Sequence, residues 1–366
     1  MIRCSLLSFV LPAGLLALVG CPESSTPTPP PADGKPPAAT ADPKLEELAD
    51  RAKLTFGVLP AEAESPTEEV TDEKVALGRT LYFDARLSKN QEISCNTCHD
   101  LAKYGVDGEP TSPGHKGQRG ERNSPTVYNA ALHFAQFWDG RSPSIEHQAT
   151  QPIVNPVEMA MADADAAVKV LESVPGYEPL FKAAFPDDSD PITMENVGKA
   201  IGAFERRLMT PSRFDEFMAG KHDALSAQEV RGLETYLEVN CQMCHLGQAL
   251  GGNMYQKMGL VKPYETKDVG RAQVTGQDAD KFFFKVPSLR NVTKTAPYYH
   301  DGAVKTLEEA TQHMAEYQLG KTLTSEQVAD LVAFMGALEG KLPPDSLIGI
   351  PDLPPSGPET PAPDPN

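Results

Sequence analysis

Two copies of Cys-x-x-Cys-His, Cys95-Asn96-Thr97-Cys98-His99 and Cys241-Gln242-Met243-Cys244-His245, constrain this chain more than any other feature. Each reads as a covalent attachment site for a c-type haem: the two thiols form thioethers with the vinyl groups, and the following His becomes the proximal iron ligand. A structural zinc would need four ligands, and a dithiol redox pair has no use for an adjacent His. Of six cysteines the other two, Cys4 and Cys21, lie near the N-terminus, so none remains for a structural disulfide.

Residues 1–20 carry one Arg, no acid and an apolar run from Leu6 to Val19 broken by Pro12 and Gly14, the layout of a secretory signal. Leu18-Val19-Gly20-Cys21 resembles a lipobox, which predicts export to the periplasmic side and a lipid anchor at Cys21; the alternative is a plain signal cleaved near Gly20. Residues 21–66 read as a Pro-rich tether and lead-in, and residues 343–366 as a second Pro-rich, disordered tail, because such segments carry too little apolar bulk to offset ordering entropy. The net charge is −18, which argues against nucleic acid as a partner and suits steering of a small basic redox protein.

Between the two Pro-rich segments the length fits two domains, 67–212 and 213–342, with a boundary near 209–225 and one haem motif in each. The expected fold class is all-α: two c-type cytochrome domains, each with one covalent haem, joined by long loops. Capping-box patterns at Ser226 and Thr324, and Thr306-Leu307-Glu308-Glu309, open three helices. Segments 44–56, 71–83, 162–172 and 193–208 also pattern as helices, while 103–126 and 246–300 read as long loops, each following a haem motif.

The distal ligands decide what such haems do, since two strong protein ligands permit only electron transfer and an open face permits peroxide chemistry. The spare histidines are His115, His133, His147, His222, His300 and His313, and pattern alone does not rank them. His115 lies in a Gly-rich loop, Gly114 to Gly120, able to move a ligand on and off the iron. Met254, Met258 and Met314 are candidates for a potential-raising thioether at the second haem.

Ser94 to His99, Gly105-Val106-Asp107-Gly108, His115, Arg122 to Thr126 and Ala135 to Arg141, then Gly251-Gly252, Gln256 to Leu260, Val286 to Val292 and Ala296 to Gly302, resemble the bacterial di-haem cytochrome c peroxidases over roughly residues 67–340. The resemblance implies a peroxidatic haem on His99 with His115 as removable distal ligand. It implies a high-potential electron-transfer haem on His245 with Met314 as second ligand, His313 being the competitor. It further implies Trp138 between the haems, Glu158 and Gln148 in the distal pocket, and a calcium site at Asn123, Thr295 and Pro297. The expected reaction is reduction of hydrogen peroxide with electrons from a cytochrome c or cupredoxin, in a protein that is commonly a homodimer. Two rival readings are a MauG-like di-haem enzyme that oxidises a partner protein, disfavoured by Met314 where that enzyme has Tyr, and a non-catalytic di-haem carrier.

Overall fold

The computed structural model describes residues 42–67 and 69–366; the expected signal, Cys21 and nearly all of the first spacer lie outside the described residues. In chain order the helices are α1 (Pro43–Phe56), α2 (Asp72–Phe83), α3 (Cys95–Cys98), α4 (Ile145–Val154), α5 (Ala164–Glu172), α6 (Tyr177–Ala184) and α7 (Met194–Arg206). They continue with α8 (Arg213–Met218), α9 (Ala227–Glu238), α10 (Ala272–Thr275), α11 (Leu307–Leu319), α12 (Ser325–Ala337) and α13 (Asp345–Ile348). The predicted capping boxes form at Ser226 and Thr324, and Thr306 accepts the Glu309 N–H, so the first-turn donors of α9, α11 and α12 are served locally.

Two hydrophobic cores organise these elements. The first is built from α2 and α4–α7, with Leu77, Leu81, Tyr82, Ile153, Phe181, Ile201 and Phe204 fully buried. The second is built from α8, α9, α11 and α12, with Phe214, Phe217, Leu233, Phe334 and Leu338 fully buried. Each core contains a close helix crossing that only glycine permits. A Cβ on Gly78 of α2 would stand 1.9 Å from the Ala200 carbonyl oxygen of α7, and a Cβ on Gly232 of α9 would stand 1.9 Å from that of Asp330 on α12.

Three expectations change. The tail is not a loose extension: Leu347 and Ile348 pack against the first core, Arg79 donates to the Gly349 carbonyl at 2.6 Å, Gln91 to that of Pro361 at 2.8 Å, and the Asp364 N–H to that of Lys89 at 3.0 Å. A Pro-rich strand loses little backbone entropy on docking, so a few apolar anchors and served carbonyls suffice to order it. The lead-in likewise does not stand apart, because Leu48, Ala49, Ala52 and Phe56 of α1 join the second core, with Phe56 edge-on to Phe214 at 5.5 Å. Finally, the all-α expectation holds only as mostly helical. The long loop 246–300 contains a short antiparallel pair, β1 (Tyr255–Lys257) and β2 (Phe283–Lys285), and is pinned to α8 by buried Arg290, which holds Asp215 bidentately at 2.7 and 2.8 Å.

Candidate functional site: two haem cradles

The second motif opens onto a large, mostly apolar cavity walled by Cys241, Cys244 and His245 on one side and by Met314 of α11 and Met335 of α12 among its other residues. Tyr236 on α9 donates its hydroxyl to the His245 carbonyl at 2.7 Å, fixing the backbone at the motif. The His245 Nδ1 faces the carbonyls of Leu250 and Pro287 at 3.2 and 3.1 Å, so it carries the proton and Nε2 is left free. Burial pushes this imidazole down to about 4, against those two carbonyls, so it stays neutral and able to ligate. Met314 lines the cavity; His313 does not, and rests against the Tyr317 ring at 5.2 Å. Met258 also lines it, with its sulfur near the Gln318 amide, whereas Met254 does not.

The first motif is built the same way and finished differently. Cys95 and Cys98 occupy the single turn of α3, capped by Ser94 and Thr97, and Tyr82 on α2 donates to the His99 carbonyl at 2.7 Å. His99 is half-buried with its Nδ1 shielded from solvent; that desolvation lowers its pKa, and Nδ1 makes no hydrogen bond of good geometry, though the carbonyls of Gly105 and Pro125 and the Asp107 carboxylate oppose the shift. His115 is buried on a 3-10 turn in which Lys116 (φ 58°) and Gly117 (φ 69°) are left-handed. Its N–H donates to the Glu158 carbonyl at 2.8 Å, and a Cβ on Gly114 would stand 1.9 Å from the Val157 carbonyl oxygen. The two loops are therefore interlocked through backbone. Burial raises the Glu158 carboxyl above its usual range, opposed by Arg141, and the charge of Glu158 is felt at Cys98, which places it beside the first motif. Gln148 is half-buried on α4, whose end leads into the turn bearing Glu158.

Beyond the haem motifs the likeness between the two halves keeps one register: the isolated bridges Gln136 with Ser142 and Tyr298 with Val304 lie 162 residues apart in sequence. Asn129 and Asn291 are both left-handed (φ 61°), as are Phe137 and Tyr299 (φ 64° and 71°), and both asparagine amides donate to the Thr210 hydroxyl, at 2.8 and 2.9 Å. Ser144 caps α4 as Thr306 caps α11. In this register Pro125 answers Pro287, Trp138 answers His300, and Met314 answers Pro152. The sequence held a signal for this in Gly78-Arg79-Thr80-Leu81-Tyr82 and Gly232-Leu233-Glu234-Thr235-Tyr236, a Gly-x-x-x-Tyr ahead of each haem motif, so Tyr82, Tyr236 and Pro152 are the site residues that motif reading missed.

Trp138 and His300 meet at the junction of the halves, edge to face at 6.3 Å; the indole N–H donates to the Asn123 carbonyl at 2.9 Å, and the Asn123 N–H to the His300 carbonyl at 2.8 Å. Asn123, Thr295 and Pro297 line the same cavity, and among the described residues no cluster of three His, Cys, Asp or Glu side chains forms a metal site.

A family model for di-haem cytochrome c peroxidase matches residues 72–223. The cytochrome c551 peroxidase of Nitrosomonas europaea is 45% identical over 312 residues, covering 83% of this chain and 92% of that protein. The chain belongs to the di-haem cytochrome c peroxidase family. The cytochrome c551 peroxidase of Pseudomonas aeruginosa is 40% identical over 332 residues, with 89% and 95% covered. The structure of a MauG-like protein associated with microbial copper homeostasis matches at a TM-score of 0.70 and 29% identity, covering 80% of this chain and 96% of that one. Membership of the family implies two haem c groups, and the residues fit them: each motif presents two thiols and a half-buried imidazole, and the second imidazole is oriented by carbonyls on Nδ1 as a metal-ligating His requires.

Proposed function

We propose that this protein reduces hydrogen peroxide to two waters, taking two electrons singly from a small redox protein, a cytochrome c or cupredoxin. His99 and His245 would be the proximal ligands, with thioethers at Cys95 and Cys98, and at Cys241 and Cys244. Bound haem would supply an iron that passes single electrons and, where one face is open, binds peroxide. The observation that carries the reading is the unequal finish of two otherwise matched halves: α11 offers Met314 to the second cavity, while the matching position of α4 is Pro152, which has no ligating atom.

On this reading Met314 is a fixed second ligand, and the vacant position in the first half is served by His115 from its loop. Glu158 holds and hands over the proton that peroxide reduction needs at the leaving oxygen, because burial keeps its carboxyl protonated further up the pH scale. Gln148 would orient peroxide beside it. Trp138, tied to Asn123, would fill the space between the two sites, and calcium held by the Asn123 side chain and the carbonyls of Thr295 and Pro297 would stiffen that junction; oxygen donors of this kind suit a hard cation. The acidic surface suits a basic donor. Export to the periplasm, the Cys21 lipid anchor and a homodimer belong to the same proposal; no helix among the described residues is long and apolar enough to cross a membrane.

The test is an electronic and EPR spectrum of the fully oxidised and half-reduced protein, with peroxide added to each. One haem should stay six-coordinate throughout and the other should bind peroxide. Two haems that never bind peroxide would leave a carrier, and peroxide binding without turnover of a one-electron donor would favour partner-protein oxidation.

A further inference from the structure

Lys285, at the end of β2, is 5% exposed and has no carboxylate within reach. Its Nζ lies 3.1 Å from the Nδ1 of His133, and both side chains line the cavity that holds His245 and Met314. An ammonium has only donors, so Nδ1 must accept; the proton of this neutral imidazole therefore sits on Nε2. That Nε2 is buried and has no partner. Two spare ammonium hydrogens and one imidazole N–H thus line an apolar cavity with nothing to receive them. A buried cation without a counter-charge is strongly disfavoured, and an unanswered buried donor beside it adds to the cost. Burial alone brings the lysine down only to about 8, which leaves it charged near neutrality.

The arrangement is held in place from both halves of the molecule. A Cβ on Gly252 would stand 2.2 Å from the His133 ring, so only glycine lets the ring lie there. The Phe134 N–H donates to the Gly252 carbonyl at 2.9 Å, and the Lys285 N–H to the Trp138 carbonyl at 2.7 Å. The segment 133–138 is thereby stitched to the strand carrying Lys285.

We infer that Lys285 and His133 form a carboxylate-binding site for a propionate of the haem attached at Cys241 and Cys244, one that clamps this haem to the segment bearing Trp138. A carboxylate supplies two acceptor oxygens and the missing negative charge, and this cavity's own ligand brings carboxylates with it. Because Lys285 keeps its positive charge in the cavity that His245 lines, it would favour the ferrous state of a haem bound there.

The inference rests on a haem at His245, so covalent haem content is measured first; a wild-type chain without that haem would count against that reading and not against this site. In the intact two-haem protein, Lys285→Met should raise the ferric-to-ferrous ratio of the Met-ligated haem about tenfold at fixed poise, equivalent to ~59 mV for one electron. The propionate-bending band in resonance Raman should shift, and Lys285→Arg should restore both. His133→Phe should shift the same band with a smaller change in potential. An unchanged potential and band in Lys285→Met overturns the site. So does a changed potential with an unmoved band, which would mean action by field alone or capture of a free anion. Should Lys285→Met fail to load haem, an unmoved band in His133→Phe overturns the site on its own.

Discussion

The two haem cradles share a scaffold and differ in what faces the iron. In both, a helix crosses its partner over a glycine, and four residues later a buried Tyr fixes the carbonyl of the proximal His: Tyr82 at His99, Tyr236 at His245, each at 2.7 Å. In the second cradle the far wall comes from α11, thirteen residues long, and the His245 ring is held by two carbonyls. In the first, the matching helix ends at Val154 two residues after Pro152, and His115, the ligand proposed for that half, sits on a left-handed turn joined by a backbone hydrogen bond to Glu158. A helix-borne side chain is rigid and a loop-borne one more easily displaced, so on the proposed function one scaffold would serve both an electron relay and a reactive centre.

Pro152→Met puts a thioether where α11 carries Met314, and is the most severe test of that contrast. The first haem should become permanently six-coordinate, peroxide should no longer perturb its spectrum, and turnover should be lost with both haems attached. Peroxide binding like wild type would show that the correspondence between α4 and α11 stops short of the iron. Glu158→Gln keeps shape and removes the transferable proton, so steady-state turnover should fall ~10²–10⁴-fold while peroxide binding survives. Retained turnover would move the proton role to another group.

The shared part of the scaffold is tested by Gly78→Ala and Gly232→Ala. Each added methyl meets a backbone carbonyl oxygen at 1.9 Å and should cost ~1–3 kcal/mol, read as a lower midpoint in denaturant titration. The two losses should be alike; a loss in only one half would break the equivalence. A pH-dependent contrast concerns Glu205 of α7, buried in the first half and pushed up to about 8 by burial and by Glu146, against Arg206. Its second-half contrast, Asp215, is held below its usual range because Arg290 outweighs burial. Between about pH 4.3 and 8 the folded chain keeps a proton on Glu205 that the unfolded chain has released, so this residue makes stability fall as pH rises through that window. Glu205→Gln removes the term, and the Tm difference between variant and wild type should grow with pH across it and stay flat beyond. A constant difference would mean that Glu205 ionises normally.

The helices at 44–56, 71–83, 162–172 and 193–208 were legible because their apolar spacing and caps are local; the structure places them at 43–56, 72–83, 164–172 and 194–206. Legibility failed for α4, where Pro152 interrupts the pattern, and for α6 and α8, whose eight and six residues offer too few turns to show a period. The tail misled for a different reason. Composition reports how much a segment could bury on its own, and residues 343–366 stay half-buried or exposed but dock by hydrogen bonds and a few apolar contacts on a surface made by residues 79–91 and 173–176.

By itself the sequence determined the chemistry, because thiols and imidazoles at fixed short spacing must present themselves together whatever surrounds them. It also held the repeat, in the Gly-x-x-x-Tyr pairs and in the prolines and asparagines 162 residues apart, though these mean little until the left-handed turns at Asn129 and Asn291 are seen to coincide. Only the tertiary structure decided that Met314 and not His313 lines the cavity at the second motif, and that Lys285 and His133 converge there from opposite halves. The reason is physical: ligation by a covalent motif is a local property of five residues, whereas the far side of each cavity, its charge and its protonation are set by burial, which no residue achieves without the rest of the fold.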